Sequence, residues 1–126
     1  MLIERNDECV LMNSNPDEMK AVAIDEQKDS IFFIGDEVCA SCKMLKEKLD
    51  SWMRTNKGKI YYIPTSEIIE EKVEVVNECT VGYYTWEKSK VVPAVFFFKK
   101  GTAVYRGDNS NTIKYLTRYV TVQEAE

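Results

Sequence analysis

Two cysteines three residues apart, Cys39 and Cys42 in the run Cys39-Ala40-Ser41-Cys42, are the residues of this chain best suited to chemistry. On a helix, positions three apart share a side with about 5 to 6 Å between them, close to the separation a disulfide needs, so such a pair can open and close with little backbone movement. The spacing alone is weak support, because the same motif also serves packing or supplies half of a zinc site. Its position adds weight: the pair follows the apolar run Ile31-Phe32-Phe33-Ile34 and opens an amphipathic stretch from Ala40 to Arg54. At a helix start, free backbone N–H groups and the positive dipole end favour a thiolate, the reacting species at neutral pH, which makes Cys39 the nucleophile candidate. Histidine is absent, which removes serine-histidine and cysteine-histidine mechanisms and every metal site that needs imidazole. Cys9 and Cys79 have no cysteine close by in the chain, so a zinc site is not expected and both read as small buried hydrophobes.

The elements that would hold the pair can be read from patterning. With 126 residues, 44% hydrophobic and 30% charged, residues 1–126 suit one compact domain with one apolar core. Cys9 to Met12 reads as a short strand, followed by Asn15-Pro16-Asp17-Glu18, a helix start whose helix would run to about Asp29 or Ser30. Ile31 to Ile34 is continuously apolar, as in a strand covered on both faces, and Gly35 ends it. Cys42, Leu45, Leu49, Trp52 and Met53 recur at helical spacing, with Lys43, Lys46, Glu47, Lys48 and Asp50 on the other faces.

Ile60 to Ile63 reads as the next strand, closed by Pro64; a helix capped by Thr65 or Ser66 would then carry Ile68, Ile69, Val73, Val76 and Cys79. Tyr83 to Lys90 has no clear period and reads as a loop with a helical turn, its aromatic residues in the core. Ala94–Lys99 and Thr102–Arg106 flank Lys100-Gly101 as a tight hairpin, and a last helix capped by Asn109 or Ser110 would turn Ile113, Leu116 and Val120 inward, with residues 123–126 fraying. The order β-α-β-α-β-α-β-β-α, with three crossovers that suit parallel pairing, predicts an α/β fold: a mixed central sheet of parallel strands plus a C-terminal antiparallel hairpin, with helices on both faces.

Read in that order, the strand, Cys39-x-x-Cys42, helix, strand, helix, Val92-Pro93, the hairpin with Gly101, then Gly107 and a final helix resemble the thioredoxin family over about Cys9 to Val120. The resemblance implies a thioredoxin-like fold and a thiol–disulfide oxidoreductase with Cys39 as catalytic nucleophile and Cys42 as the resolving thiol. It also implies a cis peptide before Pro93 lying against the pair, substrate pairing at the Val92 backbone beside Pro93, and apolar contact from Val38. Substrates would be protein or peptide disulfides; a reductase or small thiol would recycle the protein, which would act as a monomer. The Cys39–Cys42 disulfide itself is the only redox group implied, with no other cofactor and no metal.

Several positions depart from the family pattern. Val38 stands where a Trp is usual, Ala40-Ser41 replaces Gly-Pro, Phe33 aligns with the buried acid, and Pro64 aligns with the strand lysine. Asp36 and Glu37 are the candidate proton acceptors in place of that acid, opposed by Lys43. The long segment before Pro93 resembles stand-alone bacterial thioredoxin-like proteins, including the bacteriocin transport accessory type. The missing acid and lysine also motivate an alternative, a thioredoxin-fold binding or accessory module without turnover.

Net charge of −4 opposes a phosphate backbone, so no nucleic-acid partner is expected. No apolar run approaches the roughly 20 residues that span a bilayer. The segment Met1 to Asp7 lacks the basic-then-apolar pattern of a secretion signal, and four cysteines are too few for a disulfide-built secreted domain, which together predict a cytoplasmic protein.

Overall fold

The computed structural model describes residues 1–86 and 91–124. Its centre is β3 (Ser30–Gly35), whose residues are all buried, as an uninterrupted apolar run requires. β3 lies between β4 (Tyr61–Pro64), to which it is parallel, and β5 (Ala94–Lys99), to which it is antiparallel. β2 (Met12–Asn13) pairs parallel with β4, and β6 (Thr102–Gly107) pairs antiparallel with β5, giving the order β2-β4-β3-β5-β6.

Alternation along β3 separates two cores. Ile31 and Phe33 face Leu45, Leu49, Trp52 and Met53 of α2 (Ala40–Asn56) and Leu116 of α4 (Thr112–Tyr119). Phe32 and Ile34 face Met19 and Ala23 of α1 (Pro16–Ala23) and Val76 of α3 (Val73–Cys79). Helices therefore cover both faces of a mixed sheet, as the element order predicts.

The third crossover differs from its expected parallel sense. β4 ends at Pro64 opposite Gly35, and β5 begins at Ala94 opposite Ile34, so the connection leaves and re-enters at one end of the sheet and β5 must run back along β3. That connection is also not one helix: two 3-10 turns, Thr65–Glu67 and Glu70–Lys72, precede a seven-residue α3. Ile69 between them is extended (φ −72°, ψ 166°), which breaks the continuous helix its apolar spacing suggests. Tyr84 and Trp86 are buried in the second core while Tyr83 is exposed; the rest of the loop expected over Tyr83 to Lys90, residues 87–90, lies outside the described residues.

Other boundaries shift for local reasons. Cys9 has left-handed backbone (φ 56°), so the first central strand starts only at Met12. α1 stops at Ala23, short of the expected end, and Asp29 is used elsewhere: its carboxylate accepts Leu2 N–H at 2.7 Å and Lys100 N–H at 3.0 Å. That tie holds the hairpin turn, where Lys100 (φ 50°) and Gly101 (φ 86°) are both left-handed and a Cβ on Gly101 would lie 2.7 Å from Ile24 O. α4 starts after Asn111, not Asn109 or Ser110, and the Asn111 side chain accepts Asp108 N–H in place of a helix N–H; Val120 leaves the helix in extended conformation to lead into β7 (Thr121–Val122). β7 pairs parallel with β1 (Leu2–Ile3), a small second sheet that local patterning does not announce.

Replacing Asp29 by Ala leaves the Leu2 and Lys100 N–H groups without their acceptor; both bonds are part-buried, so each loss sits at the low end of the about 1 to 3 kcal/mol that an unpaired buried donor costs. Asp29→Ala is expected to lower unfolding free energy by about 2 kcal/mol in urea titration; an unchanged midpoint would show that water replaces both bonds.

Candidate active site

At the end of β3, Gly35 lets the chain turn toward α2 in a space a side chain would fill. A Cβ there would lie 2.8 Å from Phe33 Cε1 and 3.3 Å from Tyr62 Cε1. The turn is closed by Asp36, whose carboxylate accepts Val38 N–H at 3.0 Å and whose carbonyl accepts Cys39 N–H at 3.1 Å. Cys39 is the N-cap residue of α2, in extended conformation (φ −85°, ψ 120°), and its Sγ accepts Cys42 N–H at 3.3 Å. A thiol thus occupies the position that Ser or Asp usually fills, where its sulfur meets a helix N–H that has no partner within the helix.

This placement makes the two thiols unequal. The Cys42 thiol, as hydrogen-bond partner, is the largest influence drawing Cys39 below its ordinary value; the Cys42 and Ser41 N–H groups act the same way, while partial burial and the Asp36 carboxylate oppose them. Cys42 is 3% exposed on the inner face of α2. Burial, above all, pushes it up to about 12; the Asp36 backbone N–H lowers it, and the charges of Cys39 and Asp36 push it further up. No acidic residue lies in the first turn of α2, so nothing within the helix cancels its positive end. Both cysteines are free thiols in the structure, as are Cys9 and Cys79.

The other residues singled out by sequence gather at this end of the sheet. Pro93 is buried and precedes Ala94, which is registered on Ile34, one residue before Gly35; the Val92–Pro93 peptide is cis. Val92 is half-buried and packs against both cores, and Val38 projects beside Cys39 with 87% of its surface exposed. Asp36, Glu37 and Lys43 line a pocket of about 150 Å³ that reaches Cys42 and is shared with Tyr62 and Lys46. Cys79 packs against the opposite core and Cys9 sits in a turn with its thiol toward Asp7 O at 3.6 Å; both are half-buried rather than buried as expected.

Tyr62 is the residue that sequence reading misses. It is registered opposite Phe33, its ring packs on the Phe33 ring at 5.1 Å, and its hydroxyl donates to Gly35 O at 3.4 Å. Lys46 Nζ lies 5.1 Å from the centre of the Tyr62 ring. The only signal along the chain is alternation in Tyr61-Tyr62-Ile63, which puts Tyr62 on the face that carries α2.

No protein-family model matches this chain, and no curated protein sequence matches it. Solved structures do. An oxidoreductase candidate with a thioredoxin fold superposes with a TM-score of 0.67 at 15% identity, over 88% of this chain and 94% of that one. Thioredoxin f from spinach chloroplast, in its long form, matches with a TM-score of 0.61 at 16% identity, over 86% and 83%. A chain from the complex of ferredoxin:thioredoxin reductase and thioredoxin f2 matches with a TM-score of 0.62 at 10% identity, over 86% and 94%. The chain has the thioredoxin fold; the likeness favours no narrower type, the bacteriocin transport accessory type included.

The inequality of the thiols has a direct readout. Alkylation with iodoacetamide near neutral pH is expected to modify Cys39 and spare Cys42. Because the Asp36 charge raises the Cys39 pKa, Asp36→Asn should move the rate–pH profile to lower pH and speed labelling about twofold below the midpoint. An unchanged profile would remove Asp36 from the electrostatics of the site.

Proposed function

We propose that the protein is a thiol–disulfide oxidoreductase that reduces or exchanges disulfides in protein or peptide substrates. One observation carries the reading: a thiol at a helix N-cap, drawn toward its ionised form, accepts a hydrogen bond from the backbone of a second thiol that burial keeps protonated. The thioredoxin fold and the oxidoreductase candidate among its structural neighbours support it.

The Cys39 thiolate attacks one sulfur of a substrate disulfide; a bond forms to Cys39 Sγ, and the other substrate sulfur leaves as a thiolate and takes a proton from solvent. Cys42 then attacks Cys39 Sγ, releasing the second substrate thiolate. The Cys39/Cys42 dithiol has given up two electrons in becoming the Cys39–Cys42 disulfide, and the substrate disulfide has gained two. Before that attack Cys42 must lose its proton, and the carboxylates of Asp36 and Glu37, which line the pocket that reaches it, are the candidate acceptors, with Lys43 balancing their charge. The substrate strand lies along the Val92 backbone beside Pro93, in the manner of strand addition, with its apolar side on exposed Val38. No cofactor beyond the disulfide takes part. In a cytoplasmic setting a reductase or small thiol returns the pair to its dithiol form; one structural neighbour comes from a complex with such a reductase.

Phe33 and Pro64, where the family carries an acid and a lysine, favour the second reading, a binding module without turnover. Catalysed reduction of insulin disulfides by dithiothreitol separates the two. Cys39→Ser is expected to reduce the catalysed rate by about 100-fold or more, and Cys42→Ser to leave a covalent mixed disulfide visible by mass spectrometry. A Cys39→Ser, Cys42→Ser double variant that keeps both partner affinity and the parent rate would support the binding module.

A further inference from the structure

Arg106 is a cation set on an inner face of the edge strand β6. Alternation turns Tyr105 toward the core that carries α2 and leaves Arg106 on the other face, registered on Phe96. There its guanidinium lies over the Tyr84 ring, 4.8 Å from the ring centre, and that ring packs edge-on against Phe96 at 5.1 Å. Arg106 is half-buried, yet among the described residues it has no hydrogen-bond acceptor for its guanidinium and no carboxylate at ion-pair distance. Asp108 does not serve: its carboxylate accepts Ser110 N–H at 2.8 Å, the Ser110 hydroxyl at 2.7 Å and Asn111 N–H at 3.2 Å. A charged group partly removed from water is usually paired, and the fold supplies this one with a ring but no acceptor.

The guanidinium lines an open pocket of about 610 Å³ together with Asn77, Tyr83, Tyr84, Thr85 and Val91, and no carboxylate belongs to that lining among the described residues. The pocket is tied to the proposed substrate path by a hydrogen bond. The Tyr84 hydroxyl donates to Val91 O at 2.8 Å, and that carbonyl shares one peptide group with Val92 N–H, part of the backbone proposed to pair with substrate. Phe96, the partner of Arg106, lies three residues after Pro93, roughly 10 Å along the strand. With a net charge of −4 and Asp36 and Glu37 beside the thiols, the chain has no general attraction for acidic substrates, so Arg106 must act by direct contact.

Resting on the oxidoreductase reading, we propose that Arg106 is a specificity residue that takes the side-chain carboxylate of an Asp or Glu in the substrate polypeptide, on the segment that pairs with the Val92 backbone. Stacking on Tyr84 engages the face of the guanidinium and leaves N–H groups along its edge for a two-point bond to a carboxylate. The same stacking holds the group in place before substrate arrives. Val81 and Val91, both exposed at the pocket, receive the methylene carbons of the acidic side chain.

The test uses an otherwise neutral peptide whose single cysteine is linked by a disulfide to 2-mercaptoethanol, reduced by the protein with dithiothreitol as recycling thiol. Glu is walked through the positions within about four residues of the cysteine, the reach that roughly 10 Å of strand requires, with Gln at the same position as the isostere. At one position the parent is expected to show kcat/KM about tenfold higher for Glu than for Gln. Arg106→Gln should bring that ratio to about one, and Arg106→Glu should invert the preference, favouring Lys over Glu there. Arg118→Gln, on α4 against the opposite core, should keep the parent's ratio. A parent that reduces the peptides with equal efficiency for Glu and Gln at every position would overturn the inference and leave the oxidoreductase reading intact. So would a preference that survives in Arg106→Gln, or a loss of rate in that variant that falls equally on Glu and Gln peptides, which would mark Arg106 as a packing residue. A parent that reduces none of the peptides would overturn both.

Discussion

The hydrogen bond from Cys42 N–H to Cys39 Sγ is the contact around which the site is organised. It places a sulfur where the first turn of α2 has an N–H to give, so helix formation and thiolate stabilisation are the same event. The helix follows from its apolar side, Leu45, Leu49, Trp52 and Met53, which seats it on the sheet whether or not the thiol is ionised. Cys42 belongs to that side and is buried with it, so the inequality of the two thiols follows from helical periodicity: one cysteine lies at the cap, and the other three residues later faces the core.

The sheet supplies the other half of the geometry. β3 is buried on both faces and ends where β4 ends and β5 begins, which brings the Asp36 turn and the Val92–Pro93 segment to one end of the molecule. Ring packing between Phe33 and Tyr62 fills the space below the turn, and only a residue without a Cβ fits at Gly35. Cys39 is thereby carried on a short, well-bonded turn between two rigid elements, an arrangement that fixes the position of its sulfur. At the opposite end Asp29 ties the N-terminal strand to the hairpin turn and keeps the far edge in place.

Much of this is legible in the sequence because the central elements have strong local signatures. The apolar run of β3, the helical recurrence in α2 and the Lys100-Gly101 turn each point to a single structure, and each forms as expected. The position of the cysteine pair is legible for the same reason, since it is set by the junction of two such elements. What is not legible depends on distant partners. The pairing of Leu2–Ile3 with Thr121–Val122 joins the two ends of the chain, and neither segment is long enough to announce a strand. The antiparallel sense of β5 depends on which end of the sheet the chain re-enters, which element order alone leaves open. Ile68, Ile69, Val73 and Val76 fit one helix by spacing, but the extended Ile69 splits them. Tyr62 reaches the site only because β4 is registered beside β3, so its part in the pocket is a property of the sheet and not of its own segment.

Equilibration of the protein with reduced and oxidised glutathione over a wide range of ratios, quenched in acid and analysed by peptide mapping, reads the redox state of the thiol pair directly. One reversible two-electron transition is expected, in which the Cys39–Cys42 disulfide replaces both thiols, with Cys9 and Cys79 outside that pairing. Glutathione adducts that persist on Cys39 without conversion to the Cys39–Cys42 disulfide, or no change at Cys39 and Cys42 at any ratio, would contradict it.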